Sequence, residues 1–237
     1  MTTAYLNDRA LKATMMTSLR AHKRHDDFIR GKYWDADLGK GCAVGCSLEA
    51  LGVPADQRRR HDLYPEMLGI PEQIAGLIDR LFESLPDPDY KSWPVRIMDA
   101  IPVGADLSHV VAEWLLWLLI DKRHGVIQYA ETDRHRKVIR DVADLYVRRL
   151  AGDEPTRDEW SIYATANAAA AYAANAANAA NANASAANAA YATYAAAAAY
   201  ATVAANAANA QDKARNAQAR KLIALCKSAP TKGSTSD

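Results

Sequence analysis

Apolar residues recur at helical spacing along most of the first 150 positions of the chain. After Pro71, which suits the first turn of a helix, residues three or four positions apart are apolar over four turns. This stripe consists of Ile74, Leu77, Ile78, Leu81 and Leu85. It predicts an amphipathic helix that ends at the PDPD sequence of residues 86–89.

The same spacing predicts four more helices before residue 152. Three lie at 8–29, 92–100 and about 108–121, and the fourth is marked by Val138, Val142, Leu145 and Tyr146. Ser92 has the character of an N-cap, and Gly31 and Gly152 follow the first and last of these segments as stop signals. The third segment contains Trp114 and Trp117 and reads as a buried helix. Since no two alternating strand patterns are joined by a hairpin turn, the predicted fold class is all-α.

An alanine-rich segment follows, in which thirty of the fifty residues 161–210 are alanine and none is charged. At about 100° per residue, the asparagines up to Asn188 occupy one arc, with Asn183 as the exception, and the later ones occupy another. This shift predicts a break near Asn181–Ser185 and a helical hairpin. The small alanine faces favour close helix contacts and a homo-oligomer. The predicted organisation is a helical domain at 1–152, an Ala/Asn/Tyr-rich hairpin at 153–230 and a disordered tail at 231–237.

Cysteine content, charge and hydropathy narrow the class of protein. Three cysteines, Cys42, Cys46 and Cys226, do not suggest a disulfide framework and suit a reducing cytoplasm. The sequence has no signal-peptide pattern, and its longest strongly apolar run, 114–120, is too short to cross a bilayer. We therefore expect a cytoplasmic protein with no membrane partner.

A basic C-terminal end is the one marked asymmetry of charge. Residues 211–237 carry a net charge of +4, whereas the whole chain carries +1. Neither a domain-wide basic face nor stacking aromatic residues accompany this end, so nucleic acid is not an expected partner. Cations near a helix C-terminus favour the helix and explain the pattern.

The glycine-rich stretch GKGCAVGCSLEALG, residues 39–52, is the most distinctive candidate for chemistry. Cys42 or Cys46 could be a nucleophile at a helix N-terminus, with His22 or His25 as its base. A zinc site formed by His22, His25, Cys42 and Cys46 is a second interpretation, because histidine and cysteine are zinc ligands. In the third, the small residues simply let a helix pack closely against its neighbour, which is the interpretation we favour.

Two other groups of polar residues are candidates for binding. Amide side chains can hydrogen-bond a polar ligand, so Tyr172, Asn175 and Asn178 on the alanine-rich helices are the predicted ligand-binding residues. The RRRH sequence of residues 58–61 could grip phosphate, although a solvated basic loop explains it as well.

Three phrases of the sequence resemble a family of uncharacterised bacterial and phage proteins. They are GKGCAVGCSLEALG, RHDLYPEMLGIPEQIAGLIDRLFESLP and WPVRIMDAIPVGADLS. The alanine-rich end is similar to domains assigned as immunity proteins. Glu49 departs from this pattern, since many members of the family have a histidine there. The resemblance implies a setting in conflict between phages and bacteria but no particular chemistry.

Together these features predict a non-enzymatic binding protein without a cofactor or a resident metal. It would sequester a small polar ligand or block a partner protein. A cysteine-dependent enzyme that uses the glycine-rich turn is the alternative, and a structural or assembly role comes third.

Overall fold

The computed structural model describes residues 2–130, 132–161 and 208–231. Within these residues the regular structure is helical apart from one two-stranded ribbon, so the all-α class is confirmed. The α-helices are α1 (Arg9–His25), α2 (Ala43–Ala50), α3 (Tyr64–Leu68), α4 (Glu72–Ser84), α5 (Asp89–Ala100), α6 (Val110–Ile120), α7 (Asp133–Leu150) and α8 (Ala208–Ser228). Strands β1 (Trp34–Asp35) and β2 (Lys40–Gly41) pair antiparallel, with Trp34 opposite Gly41.

One compact unit is formed by the described residues up to Val111 and from Arg215 onward. In this unit α1 packs against α2 and α5, and α4 contacts the same two helices. Fully buried side chains fill the space between them, among them Leu19, Ile74, Trp93 and Ile97. The indole N–H of Trp93 donates to the carbonyl oxygen of Ile78 at 2.8 Å, so the largest core side chain leaves no polar atom unpaired.

Helix α4 agrees with its sequence pattern. It begins at Glu72 directly after Pro71, and all five apolar residues of the predicted stripe are buried. Leu85, the last of them, lies just beyond the end of the helix at Ser84. The opposite side of α4 carries polar residues, which become important for the candidate site.

Three helix boundaries differ from the sequence predictions, one of them the start of α7 at Asp133, five residues before Val138. Helix α1 ends at His25 because Asp26 adopts a left-handed conformation with φ of 58°, and the chain then runs in an extended form past Phe28, which bridges to Gly41. Helix α5 begins at Asp89 instead of after Ser92. Ser92 lies inside the helix, where its hydroxyl donates to the carbonyl of Asp89, so it does not act as the N-cap.

The second compact unit comprises the described residues from Ala112 to Ala214. The predicted helix at 108–121 is present as α6, with Trp114 fully buried. Helix α7 is capped by Thr132, whose hydroxyl accepts from the N–H of His135 at 3.1 Å, and Gly152 follows its end with φ of 86°. The stop predicted at this glycine is therefore confirmed.

A new helix starts at Arg157 in the second unit, after a reciprocal capping arrangement. The hydroxyl of Thr156 accepts from the N–H of Glu159, and the carboxylate of Glu159 accepts from the N–H of Thr156 at 2.7 Å. This pattern of Thr-x-x-Glu is the capping box, and it satisfies two backbone donors that the helix itself leaves unpaired.

The C-terminal helix α8 buries Ala217, Leu222 and Cys226 in the first unit. After it, Thr231 bridges to Ala105, and Pro230 accepts from the N–H of Asp106 at 2.8 Å. The predicted break of the alanine-rich hairpin lies outside the described residues, as does the remainder of the predicted tail, 232–237. Among the helices that the structure describes, none is both long enough and apolar enough to cross a membrane.

Candidate functional site

The glycine-rich turn is a close contact between two backbone segments. The N–H of Cys42 donates to the carbonyl oxygens of Lys32 at 3.0 Å and Tyr33 at 3.1 Å. A β-carbon at Gly45 would lie 1.6 Å from the Tyr33 oxygen, and one at Gly41 would lie 2.3 Å from it. Only glycine fits at either position, so this turn fixes the backbone of Tyr33 against α2.

Both cysteines of the turn are inside the protein. Cys42 is the N-cap of α2, and its sulfur accepts from the N–H of Gly45 at 3.4 Å. The sulfur of Cys46 lies 3.5 Å from the carbonyl oxygen of Gly41, to which it donates. Their exposed fractions are 1% and 0%. These contacts make the two thiols part of the packing around α2.

Burial also suppresses the reactivity of these thiols. It raises the pKa of Cys46 to about 12, and it raises the pKa of Cys42 strongly, with the nearby charge of Asp79 adding to the effect. The thiolate is the nucleophilic form of cysteine, so near neutral pH neither group has the ionisation that thiol catalysis requires. The dipole of a short helix does not overcome this desolvation.

His22, the proposed base, is held between two carboxylates. Its Nδ1 lies 3.2 Å from an oxygen of Asp27, and its Nε2 lies 3.2 Å from an oxygen of Glu49. A neutral imidazole has one N–H, so which of the two nitrogens donates depends on the tautomer of the ring. Both ring nitrogens are thus occupied, and the arrangement joins α1 to α2.

The four residues of the zinc alternative do not come together. The side chain of His25 is 70% exposed and lies 3.9 Å from Asp27, whereas His22 is buried and engaged as described. In the described part of the chain, no three His, Cys, Asp or Glu side chains are grouped so that they could hold a metal ion. The structure therefore offers no support for a zinc site at this turn.

A polar cluster that the sequence did not predict lies beside the turn. His61 Nε2 is 3.3 Å from an oxygen of Asp79, and the ring of Tyr33 meets the ring of His61 edge-on at 5.7 Å between centroids. The His61 and Asp79 side chains are 22% and 15% exposed. The turn thus positions a half-exposed tyrosine against a histidine–aspartate pair.

Beneath this pair, two buried oxygen atoms have no hydrogen-bond partner among the described residues. They are the second carboxylate oxygen of Asp79 and the hydroxyl of Tyr64. Ser47 is close to Tyr64, but its own hydroxyl donates to the carbonyl of Ala43 at 2.8 Å. Burial strongly raises the pKa of Tyr64, so its hydroxyl stays protonated. Unpartnered buried polar atoms are uncommon in folded proteins and single out this position.

Glu83 extends the cluster one turn along α4. Its carboxylate accepts from the N–H of Gly31 at 3.0 Å. Burial raises the pKa of Glu83, and the charge of Asp79 contributes to this rise. Two carboxylates at i and i+4 on one helix repel each other, and the charge of Arg30 offsets part of this effect at Glu83.

Two of the three arginines of the RRRH sequence make contacts within the protein, and Arg59 is exposed. The guanidinium of Arg58 lies 4.1 Å from the ring centroid of Trp34, and its Nε donates to the carbonyl of Val53. Arg60 forms an ion pair with Asp62 at 2.7 Å. These contacts compete with the phosphate binding that the sequence suggested for these arginines.

The remaining predicted site residues, Tyr172, Asn175 and Asn178, lie outside the described residues. Sequence reasoning noticed His61 only as part of a basic loop, and it missed Tyr33, Tyr64 and Asp79. These residues and their partners come from separate segments of the chain, so no local spacing of residues in the sequence predicts that they form a cluster. The one available signal was Asp79 itself, a carboxylate placed next to the apolar stripe of α4.

No protein-family model, curated protein or solved structure matches this chain. The membership inferred from the sequence phrases stays a prediction. The chemistry of the candidate site consequently rests on its own geometry.

Proposed function

We propose that this protein is a non-enzymatic binding protein that sequesters a small polar ligand or blocks a partner protein. The observation that carries the proposal is the state of Cys42 and Cys46. Both sulfurs are buried, both are engaged with backbone groups, and burial raises both pKa values. A nucleophile must be ionised and must reach its substrate, and neither requirement agrees with this environment.

In the alternative, a cysteine-dependent enzyme, the base proposed from the sequence is also poorly placed. A general base needs a ring nitrogen that is free to take a proton, whereas His22 is flanked by Asp27 and Glu49. The close approach of the Tyr33 backbone to Gly41 and Gly45 is enough to explain why this turn is rich in glycine. Nothing further is required to account for its composition.

The biological setting of the proposal comes from the sequence resemblance alone. A family of bacterial and phage proteins with an immunity-like alanine-rich end suggests a role in conflict between phage and host. In that role the protein would act by stoichiometric binding, so its effect would scale with its abundance.

Native mass spectrometry of the full chain, purified gently from its host, tests the proposal. We expect a small ligand or a partner protein to remain bound, and to remain bound in the Cys42→Ala and Cys46→Ala variants. Asn175→Ala, Asn178→Ala and Tyr172→Ala should reduce the bound fraction if the predicted amide face contributes. Thermal unfolding of every variant separates lost binding from lost folding.

The thiol-enzyme alternative predicts the opposite pattern. Cysteine variants that fold normally but lose biological activity, together with fully active asparagine variants, would contradict the binding proposal. Such a result would identify the glycine-rich turn as the active site.

A further inference from the structure

Residues 3–7, which precede α1, carry backbone strain. Tyr5, Leu6 and Asn7 have positive φ values of 55°, 51° and 59°. In this left-handed region the side chain of an L-residue crowds the following carbonyl, so each of these residues costs free energy to hold there. Successive non-glycine residues keep such a conformation only where their surroundings hold them in it, and strain of this kind is typical of functional segments.

The side chain of Tyr5 fixes this segment to the protein. Tyr5 is fully buried, and its hydroxyl donates to the carbonyl oxygen of Met98 at 2.5 Å. Burial strongly raises the pKa of Tyr5, so the hydroxyl keeps the proton that it donates. The Nζ of Lys12 lies 5.4 Å from the centre of the ring and is held there by the carbonyl of Ile101, to which it donates at 2.6 Å. The space that Tyr5 fills, which we call the Tyr5 pocket, therefore suits an aromatic ring that bears a hydroxyl donor.

The backbone of the segment is seated as closely as its side chain. The N–H of Ala4 donates to the carbonyl of Ala105 at 2.9 Å, and the carbonyl of Ala4 accepts from the N–H of Gly104 at 2.8 Å. A β-carbon at Gly69 would lie 2.0 Å from the carbonyl oxygen of Thr3. Paired backbone hydrogen bonds of this kind hold an added peptide segment in many protein complexes. The seat thus suits a peptide as well as an aromatic side chain.

Strain and anchoring oppose each other in this segment. The buried ring and the hydrogen bonds of Tyr5 and Ala4 hold the segment in its seat, whereas the left-handed backbone of residues 5–7 favours its release. A tyrosine brought by another, unstrained segment would make the same contacts without that cost. The strain thus lowers the advantage that a tethered segment has over a ligand that is free in solution.

We propose that residues 3–7 form a displaceable latch over a binding site for a tyrosine-bearing segment of a partner protein. The incoming tyrosine takes the place of Tyr5 beside Met98, and the residue before it takes over the backbone hydrogen bonds of Ala4. This inference rests on the binding role proposed above and names, for the case of a partner protein, the chemistry that is recognised.

Two peptides test the site by NMR of the full-length Tyr5→Ala variant, in which the latch no longer fills the Tyr5 pocket. Acetyl-Thr-Ala-Tyr-amide carries the sequence of residues 3–5, and acetyl-Thr-Ala-Phe-amide is the matched control that lacks only the hydroxyl. We expect saturable shifts at the amides of Gly104 and Ala105 with the first peptide. The second should bind at least about fivefold more weakly, since it leaves the buried Met98 carbonyl without a donor. Equal affinities, or shifts that do not saturate, would overturn the proposal.

Hydrogen exchange in the wild-type chain gives a test that does not depend on the folding of Tyr5→Ala. An excess of the tyrosine peptide should speed exchange of the Ala4 amide, because a displaced latch loses its hydrogen bond to Ala105. The Gly104 amide should stay protected, because a carbonyl of the bound peptide replaces that of Ala4. Exchange at Ala4 that the peptide leaves unchanged would contradict displacement of the latch.

Two variants of Leu6 test the strain itself. Leu6→Gly and Leu6→Ala both remove the leucine side chain, but only glycine adopts a φ of 51° freely. The Ala4 amide should therefore exchange about threefold more slowly in Leu6→Gly than in Leu6→Ala. Equal or faster exchange in Leu6→Gly would overturn the latch, since the segment would then store no strain. Failure of these tests leaves the wider binding proposal standing, because that proposal is judged separately by native mass spectrometry and the cysteine variants.

Discussion

At the scale of single residues, the decisive feature is the missing β-carbon at Gly41 and Gly45. It lets the carbonyl of Tyr33 approach α2 more closely than any side chain would permit. Tyr33 is then held where its ring meets His61. The glycine-rich turn thus acts by placing another residue, and its cysteines fill the space behind it.

Replacing Gly45 by alanine tests this account. The added methyl group would meet a backbone oxygen, which cannot rotate away as a flexible side chain can, so we expect a loss of about 3 kcal/mol in unfolding free energy. Gly52→Ala is the matched control: nothing obstructs its β-carbon, but its positive φ should cost about 1 kcal/mol. Urea unfolding measures both, and an equal or smaller loss at Gly45 would refute the close contact.

Thiol labelling tests the burial of the cysteines at the same scale. Burial raises the pKa values of Cys46 and Cys226 from 9.0 to about 12, which lowers their thiolate fraction by about a thousandfold. We expect Ellman's reagent to modify the native protein very slowly at pH 8 and to modify all three cysteines rapidly in guanidinium chloride. Rapid modification of a single thiol in the folded protein is the outcome that contradicts this expectation.

At the scale of elements, α4 has two separate roles on its two sides. Its apolar stripe packs into the core, while Asp79 and Glu83 stand on the side that faces the loop containing Gly31 and Tyr33. In the second unit, the capping box at Thr156 is reinforced by Arg148, which pairs with both Asp153 and Glu159. Both cases show polar residues of one element fixing a neighbouring segment.

The capping box gives a pH-dependent prediction. The hydrogen bond from Arg148, followed by those from Thr156, lowers the pKa of Glu159 to about 2 from its ordinary value of 4.5. Because the folded-state pKa is the lower one, the stabilisation is complete above about pH 4.5 and is lost as the pH falls toward 2. Carbon-detected NMR of the Glu159 carboxyl should report this low midpoint.

Arg148→Met is the matching variant for that titration. It removes the largest cause of the shift, so the midpoint of Glu159 should rise toward 4.5. High salt should move the wild-type midpoint in the same direction, since the pair is exposed. An unchanged midpoint in Arg148→Met would show that the ion pair does not form in solution.

At the scale of the whole molecule, charge and alanine content are distributed very unevenly. Residues 161–210 carry no charge and are three-fifths alanine, whereas the 27 residues after them have a net charge of +4. Alanine buries little area, so helices of this composition need long, close contacts to associate. A second copy of the chain could provide such a contact along the alanine face.

Light scattering across a wide range of protein concentration tests this prediction of a homo-oligomer. We expect a dimer or larger assembly, and Ala176→Leu should disturb it more than Asn178→Leu, because Ala176 lies opposite the predicted asparagine arc. A monomeric mass at every concentration would count against the prediction. Circular dichroism of both variants establishes that the helical content is retained.

The sequence by itself determined the helical class and the faces of the helices. The apolar stripe of α4 and the glycine stop after α7 depend on neighbours three or four residues away, and local pattern records such neighbours directly. The small residues around Cys42 favoured a packing role for it, and the structure places this residue in the interior. The sequence predicted the ends of two helices less accurately. Helix α1 ends early because Asp26 adopts a left-handed backbone conformation, and Ser92 donates a hydrogen bond inside α5 instead of capping it.

Only the tertiary structure decided which polar residues meet. Tyr33, His61 and Asp79 lie on a loop, a short turn and a helix, and their contact depends on a carbonyl fitting against two glycines. The pairing of His22 with Asp27 and Glu49 joins α1 to α2 in the same way. Hydrogen bonds between distant segments leave no periodic trace in a sequence, since each partner is chosen by packing in three dimensions.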